Sequence, residues 1–194
     1  PDLIEHIIEL AETYERKIQI RLVKGAYWDS EVKHAQLMGH QTYPTYTRKI
    51  STDVSYLYCA EKMMARRDVL YPMFGTHNAH TVFSILEMAG GTKSANHKDF
   101  EFQKLYGMGD ALYNYLVDSN YKVNICVYAP VGPFNDLLPY LVRRMLENGA
   151  NSSFVHKIYD KNYKPEQIAG DPIERLRNTK PYSHPKIPFN PPAA

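Results

Sequence analysis

Strand-like and helix-like apolar patterns alternate along most of this 194-residue chain, and that alternation limits its possible folds more than any other feature. Runs of period two predict strands, and apolar residues at helical spacing predict helices. Such alternation is typical of a parallel sheet with helices outside it, joined by right-handed crossovers. The predicted elements are a helix at 2–15, strands at 17–24, 71–76, 100–103 and 122–128, and helices at 54–66, 80–88, 109–117 and 136–148.

The segments between these elements are predicted to be irregular. A mobile loop is expected after Gly25 and Ala26, up to Arg48 and Lys49. Thr52 and Asp53 are N-cap candidates for the next helix, and Gly149 suits the end of the last helix. Beyond about His156, prolines among polar residues predict a linker or tail. The predicted division is therefore 1–158 for the folded part and 159–194 for the tail.

Four strand–helix units are too few to close an eight-stranded barrel. The chain therefore forms either a small open sheet or half of a barrel. It lacks an initiator Met and starts abruptly in a helix, which favours the second alternative. The predicted fold class is α/β, a TIM-like (β/α)8 barrel represented by its second half, strands five to eight.

Composition excludes several classes of protein. The net charge of +2 gives no electrostatic argument for nucleic-acid binding. The two cysteines, Cys59 and Cys126, cannot form a disulfide framework and are predicted to be packed thiols. No apolar run approaches the roughly 20 residues of a membrane helix, and residues 1–5 do not begin a signal peptide.

In a barrel, the loops at the carboxyl ends of the strands hold the site, and this rule selects candidate residues. Arg21 shares a strand face with Val23, and a buried arginine requires either a ligand or a carboxylate partner. Both alternatives remain open. His77 and His80 have metal-ligand spacing, but no third ligand is evident, so His77 is interpreted as a hydrogen-bond donor to a ligand or as a satisfied core histidine.

Adjacent arginines follow the fourth strand. Arg143 and Arg144 offer forks that match a carboxylate, although for an isolated arginine pair a solvated helix face with an ion pair to Glu147 is the favoured interpretation. Arg66, at a predicted helix end, is expected to be structural. The glycines near 107–109 do not form a dinucleotide fingerprint, because Leu112 stands where a third glycine is needed.

Several ordered blocks resemble one family. The run Arg21-Leu22-Val23-Lys24-Gly25-Ala26-Tyr27-Trp28-Asp29 is similar to the signature of proline dehydrogenase, in the form found in bifunctional proline utilization A proteins. Further similar blocks, in the family's order, are 46–49, 52–57, 76–79, 100–103, 107–109, 128–132 and 140–151. The resemblance covers about residues 1–158, and the tail resembles the linker that leads to an aldehyde dehydrogenase domain.

The resemblance implies a distorted (β/α)8 barrel that binds FAD and oxidises L-proline to Δ1-pyrroline-5-carboxylate. Hydride would pass to flavin N5, and electrons would continue to a membrane quinone. It also implies an aldehyde dehydrogenase domain on the same chain and a cytoplasmic protein that associates peripherally with the inner membrane. This segment is not expected to bind nucleic acid.

The same resemblance implies roles for individual residues. Arg21 would lie near flavin N5, and Arg143, Arg144 and Tyr128 would bind proline, with Leu105 as an apolar wall and Tyr27 nearby. The remaining implied flavin contacts are Val23, Lys24, Gly25, Ala26, Trp28, Arg48, Lys49, Thr76, His77, Asn78 and Glu147. The family's first four strands, with its active-site lysine and aspartate, have no counterpart here. The isolated fragment is therefore expected to be inactive, and a non-catalytic (βα)4 binding or assembly module is the alternative.

Overall fold

A computed structural model describes residues 2–25, 27–91, 97–119, 121–149, 164 and 170–187, with only the backbone described at 97 and 147–149. The chain divides into two compact units, residues 1–24 with 56–139 and residues 25–55 with 140–194. The elements are α1 (Asp2–Thr13), β1 (Ile18–Val23), α2 (Trp28–Leu37), α3 (Lys49–Ala65), β2 (Leu70–Gly75), α4 (Ala79–Met88), β3 (His97–Leu105), α5 (Asp110–Asp118), β4 (Val123–Tyr128), α6 (Phe134–Gly149) and α7 (Pro172–Arg177).

The first unit contains a four-stranded sheet in the order β1-β2-β3-β4. Every neighbouring pair is parallel, and one row of the register joins Arg21, Met73, Glu101 and Asn124. The predicted α/β class with a parallel sheet is confirmed. Because the strands are all parallel, their carboxyl ends lie along one edge of the sheet.

One face of this sheet carries the hydrophobic core of the first unit. Phe74, Phe100 and Phe102 are fully buried there, and the rings of Phe100 and Phe102 meet edge to face with centroids 5.7 Å apart. Side chains from α3, α4 and α5 complete the core, among them Met63, Ile85 and Leu116. Burial of this face supplies the main driving force for folding of the unit.

The opposite face of the sheet is polar, and its residues alternate with those of the core. We call it the polar face, and its members include Gln19, Arg21, Val23, Tyr71, Met73, Gly75, Glu101, Gln103, Asn124, Cys126 and Tyr128. The prediction that both cysteines are packed is wrong for Cys126, which is exposed on this face, whereas Cys59 is buried. The period-two pattern placed Cys126 in a strand but did not say which face was the core.

Ion pairs attach α1 to α3 and the turn that follows it. The Lys62 ammonium pairs with Glu5, and the Arg66 guanidinium pairs with both Glu12 and Asp68. The interaction with Lys62 lowers the pKa of Glu5, and the bond from Arg66 lowers the pKa of Asp68. The structural role predicted for Arg66 is confirmed.

Two predictions for the segment between β1 and β2 are wrong. The expected mobile loop contains α2, whose buried residues are only Val32 and Ala35, so its apolar stripe is too narrow to be conspicuous in the sequence. The next helix begins at Lys49 and not near Thr52, and Lys49 pairs with Asp53 inside it. An i,i+4 pair of this kind supports helix, so Asp53 is not a cap.

Three other predicted boundaries also change. The third strand is longer than expected, from His97 to Leu105, and α6 extends through Gly149. The segment expected to be a tail contains α7, where the Asp171 carboxylate accepts from the Ile173 N–H at 2.8 Å and Pro172 occupies the first turn. A local cap therefore starts a helix among the prolines.

Candidate active site

Arg21 is held on the polar face near the carboxyl end of β1. Its Nε donates a hydrogen bond of 2.6 Å to Gln103 Oε1, and its guanidinium carbon lies 5.2 Å from the centre of the Tyr128 ring. A Cβ at Gly75 would lie 2.9 Å from Val23 Cγ1 and 3.0 Å from Arg21 Nη2, so the glycine leaves the space that the guanidinium occupies. Among the described residues the contacts of Arg21 are with an amide and a ring, and not with the carboxylate considered above.

Gln103 belongs to a chain of polar side chains that crosses the sheet. Its Nε2 donates to Glu101 Oε1 at 2.7 Å and also lies 3.3 Å from Met73 Sδ. The Tyr71 hydroxyl donates to Glu101 Oε2 at 3.4 Å and accepts from Asn124 Nδ2 at 3.2 Å. Glu101 thus accepts from two neutral donors, Gln103 on its own strand and Tyr71 on β2.

Three polar residues follow β2, as predicted, and their acceptor atoms bind the local backbone. Asn78 caps α4 by accepting from the Thr81 N–H at 3.1 Å, and Thr76 Oγ1 accepts from the Asn78 N–H at 3.2 Å. His77 Nε2 accepts from the Leu105 N–H at 3.2 Å, so its ring proton is on Nδ1. Leu105, the predicted apolar wall, is itself only 1% exposed in this structure.

The His-x-x-His spacing does not lead to a metal cluster in the described part of the chain. Those residues contain no group of three or more His, Cys, Asp or Glu side chains that could hold a metal ion. His77 Nε2 accepts from backbone, and His80 lies early in α4, as predicted from the sequence.

A side chain of α5 holds the backbone that follows β2 in place. The Tyr113 side chain is only 2% exposed, and its hydroxyl donates to the Thr76 carbonyl oxygen at 2.7 Å. Burial raises the pKa of this phenol. Gly109 has a positive φ of 68° at the start of α5, and a Cβ there would approach His77 Cδ2 at 3.0 Å. Both residues therefore restrict where the His77 backbone and ring can lie.

Lys24 follows β1 and packs on the first unit. Its Nζ lies 3.2 Å from Thr81 Oγ1 and 5.3 Å from the centre of the Tyr56 ring. The Tyr56 hydroxyl donates to the Leu22 carbonyl oxygen at 3.3 Å, and burial raises the pKa of this phenol. Val23, on the polar face, is 43% exposed.

In the second unit the adjacent arginines of α6 gather around one ring. The guanidinium carbons of Arg143 and Arg144 lie 4.9 and 5.9 Å from the centre of the Tyr27 ring. Arg143 Nη2 donates to the Tyr27 hydroxyl at 3.4 Å, while Arg144 also lies 5.2 Å from the Tyr140 ring centre. Arg143 Nε is buried and forms no hydrogen bond with a described residue. The arginines therefore surround an aromatic ring instead of extending into solvent.

Other predicted flavin contacts of the second unit have protein partners of their own. Trp28 Nε1 donates to the Tyr46 carbonyl oxygen at 2.8 Å, and Lys49 Nζ lies 2.9 and 2.8 Å from the two oxygens of Asp53. A Cβ at Gly25 would have no atom within 4 Å, so this glycine borders open space.

Arg48, predicted to bind phosphate, contacts the segment that follows α7. Its Nε donates to the carbonyl oxygens of Pro181 and Ser183 at 3.1 and 3.2 Å. The His184 N–H donates to Thr47 Oγ1 at 2.9 Å. The C-terminal segment thus binds the same short loop that carries the predicted phosphate ligand.

Two of the predicted flavin residues lie outside the described residues. Ala26 is one, and the side chain of Glu147 is the other. The alternative ion pair between Glu147 and the arginine pair therefore remains a prediction.

The structure adds residues that the sequence reasoning missed. Gln103 contacts Arg21 directly, and Glu101, Tyr71 and Asn124 extend that contact across the sheet. The alternating run 100–103 predicted that Glu101 and Gln103 share a face, which was the available signal. The sequence did not show that these side chains contact Arg21, because that contact depends on how β1, β2 and β3 pair.

Fold and site define an α/β protein whose candidate ligand-binding edge is formed by the carboxyl ends of parallel strands. A family model described as proline dehydrogenase matches residues 1–157. The chain therefore belongs to the proline dehydrogenase family.

Among curated proteins, the chain is similar to bifunctional PutA proteins. It is 47% identical over 199 residues to the Klebsiella aerogenes protein, covering 97% of this chain and 15% of that protein. It is 49% identical over 179 residues to the Rhizobium meliloti protein, covering 91% of this chain and 14% of that protein. The chain thus spans about a seventh of the length of these relatives.

Solved structures agree with this assignment. The chain matches Bradyrhizobium japonicum proline utilization A with a TM-score of 0.86 and 46% identity, covering 97% of this chain and 19% of that one. A structure of proline utilization A from Bdellovibrio bacteriovorus, inactivated by N-propargylglycine, matches with a TM-score of 0.82 and 32% identity over 90% of this chain and 18% of that one.

Proposed function

We propose that the protein carrying this chain oxidises L-proline to Δ1-pyrroline-5-carboxylate with FAD, and that this chain contributes the second half of a (β/α)8 barrel. Membership of the proline dehydrogenase family supports the reaction. The observation that carries the proposal for the site is the placement of Arg21, which is held on the polar face by a neutral amide. A cation in that position is suited to a ligand that becomes electron-rich.

The sheet is consistent with half of a barrel. Its strands are parallel and adjacent in chain order, with one apolar face and one polar face. In a closed barrel the polar face would point inward and the helices would lie outside. Within the described residues β1 and β4 each have one neighbouring strand, so the remaining strands of a barrel would join at these two edges.

The polar-face residues toward the carboxyl ends of the strands fit a flavin. When bound, FAD would accept the hydride of proline, and the reduced ring would carry additional electron density. The guanidinium of Arg21 offers a positive charge and further N–H donors to such a ring, while Tyr128 covers one side of that guanidinium. The remaining flavin contacts proposed here are Val23, Lys24, Gly25, Ala26, Trp28, Thr76, His77, Asn78 and Glu147, with Arg48 and Lys49 toward the phosphates.

The arginine pair of α6 suits the carboxylate of proline. Buried Arg143 Nε has no hydrogen-bond acceptor among the described residues, and an unsatisfied donor of this kind costs about 1–3 kcal/mol. A bound carboxylate would supply the acceptor and neutralise the local charge. Tyr27 orients both guanidinium groups by stacking, and we assign Tyr128 and Leu105 to the walls that contact the proline ring.

The wider setting is part of the same proposal. The PutA relatives are described as bifunctional and are far longer than this chain, which supports an aldehyde dehydrogenase segment on the complete protein. We further propose a quinone as electron acceptor and a cytoplasmic protein that associates peripherally with the inner membrane. In the described part of the chain, no helix combines the length and apolar character needed to span a membrane.

The test uses the complete protein. L-proline added without oxygen is expected to bleach the flavin absorbance, whereas L-alanine, which has a carboxylate but no ring, is expected to leave it unchanged. A complete protein that binds FAD but does not respond to proline would contradict the proposed substrate. One that binds no FAD would favour the non-catalytic module.

A further inference from the structure

We propose that Gln103 is a positioning residue that orients the Arg21 guanidinium, and that the Glu101 carboxylate fixes the direction of the Gln103 amide. The inference rests on the proposed function, in which Arg21 lies beside the flavin. It assigns a role in the reaction to two residues that the proposed function does not place in contact with flavin or proline.

The direction of the amide follows from its two neighbours. The Arg21 guanidinium has only donors, and the Glu101 carboxylate, when ionised, has only acceptors. Gln103 lies between them, with Oε1 2.6 Å from Arg21 Nε and Nε2 2.7 Å from Glu101 Oε1. The opposite amide orientation would place two donors together on one side and two acceptors together on the other, so only one orientation is stable.

The contact between Arg21 and Gln103 passes over an intervening strand. Arg21 lies on β1 and Gln103 on β3, with β2 between them. The register places Gly75 beside Gln103 on β2, and a Cβ at Gly75 would lie 3.0 Å from Arg21 Nη2. Because Gly75 has no side chain, the Arg21 guanidinium can pass over β2 and reach Gln103. The contact therefore forms only when β1, β2 and β3 pair in this register.

The consequence concerns both charge and geometry. The hydrogen bond at Nε uses one of five guanidinium donors and leaves the four N–H groups of the Nη nitrogens for a ligand. Because Gln103 is neutral, Arg21 keeps its full charge toward that ligand. The Glu101 charge is one amide further away, where it aligns Gln103 and does not pair with Arg21 directly.

The experiment compares three variants with the parent in the complete protein. Gln103→Met keeps the length but removes the hydrogen bonds to Arg21 and Glu101. Gln103→Glu places a carboxylate against Arg21, and Glu101→Gln removes the acceptor-only neighbour without changing the heavy-atom shape. Two properties are measured: the midpoint potential of the flavin, titrated with dithionite, and the rate of flavin reduction at saturating proline. Gln19→Met, the same substitution elsewhere on the polar face, is the matched control.

Gln103→Met is expected to slow flavin reduction by about tenfold, because a small displacement of a catalytic group has effects of this order or larger. The midpoint potential should fall by about 30 mV, which is a tenfold change for a two-electron couple. Gln103→Glu should lower the potential at least as far, because the carboxylate offsets the Arg21 charge. Glu101→Gln should lower both quantities by less, while flavin content and the proline Kd stay close to those of the parent.

Equal potentials and rates for Gln103→Met and Gln19→Met would overturn the proposal. If Gln103→Met does not retain flavin, the isosteric Glu101→Gln decides, and an unchanged potential and rate in that variant would also overturn it. The dithionite titration does not depend on proline. A parent whose flavin is not reduced by proline would therefore contradict the proposed function, while the potentials would still test the positioning role.

Discussion

The Tyr113 hydroxyl donates a hydrogen bond of 2.7 Å to the backbone carbonyl oxygen of Thr76, which joins α5 to the carboxyl end of β2. Both groups are shielded from water, since Tyr113 and Thr76 are 2% and 8% exposed. The bond therefore connects a helix of the core to the first polar residue of the candidate site.

Tyr113→Phe is expected to lower the free energy of unfolding by about 1–3 kcal/mol, because it leaves a buried carbonyl without its donor. Calorimetry of the complete protein would measure the change. Tyr115→Phe is the matched control, since Tyr115 is on the same helix but 54% exposed, and it should have little effect. Equal shifts for the two variants would show that the Thr76 bond is not important for stability.

Arg143→Met is expected to raise the KM for proline by tens- to hundreds-fold, because charge-assisted hydrogen bonds to a carboxylate contribute roughly 1.5–3 kcal/mol each. Flavin content should stay near that of the parent. Steady-state kinetics with an artificial electron acceptor would measure the KM. Arg66→Met removes an arginine that pairs with Glu12 and Asp68, so it should affect stability and not KM. If both variants have the same KM, the pocket assigned to α6 is wrong.

Arg21→Met is expected to slow proline-dependent flavin reduction by about a hundredfold, since it removes the charge nearest the proposed flavin. Stopped-flow absorbance gives this rate directly. Arg67→Met, just beyond the end of α3, serves as the control for loss of a basic residue. A reduction rate in Arg21→Met equal to that of the parent would remove Arg21 from the proposed chemistry.

The Glu5–Lys62 pair predicts a dependence of stability on pH. Lys62 lowers the pKa of Glu5, so the stabilisation is complete above the unfolded pKa of about 4.3 and is lost as pH falls through the lower folded pKa. Glu5 raises the pKa of Lys62, so the stabilisation is also lost at high pH, as pH rises through the folded pKa of the lysine.

In Glu5→Gln the melting temperature should therefore fall less steeply as the pH is lowered below about 4.3. The effect should be small, because the pair is at the surface. Glu61→Gln, an exposed carboxyl on α3, is the comparison. If the melting temperatures of the two variants fall equally steeply, the ion pair does not attach α1 to the unit.

The 194-residue chain expressed by itself is expected to self-associate and to show no proline oxidation. Within the described residues β1 and β4 have unpaired edges, and large apolar side chains such as Phe134 and Val131 are exposed. Open edges of this kind pair with other chains. Light scattering after size exclusion would measure the mass, and a stable, active monomer would refute the half-barrel interpretation.

The strands and their parallel arrangement could be predicted because period-two patterns and helical patterns differ strongly along this chain. The helix α2 could not, because its two buried residues, Val32 and Ala35, are separated by charged and polar ones. The sequence also did not show which face of the sheet would be buried. Arg21 and Val23 were correctly placed on one face, yet nothing in the local pattern showed that Cys126 would share that face.

The candidate site was predictable to a similar degree. Strand ends and family resemblance selected Arg21 and the arginine pair, and the structure shows Arg143 and Arg144 around Tyr27 as one cluster. The partner of Arg21 was not predictable, because Gln103 lies two strands away and contacts Arg21 across β2. Contacts of that range depend on the assembled sheet and leave no local signal in the sequence.

The hydrogen bonds from Arg48 to residues 181–183 have a consequence for where the domain ends. Arg48 and Ser183 are 135 positions apart, yet one binds the other directly, and His184 binds the neighbouring Thr47. Recombination between related genes, or trimming of a gene for expression, would separate these partners if the break fell between α6 and Pro181. A gene segment that keeps the Arg48 loop intact must therefore extend at least to His184, well past residue 157, where the family match stops.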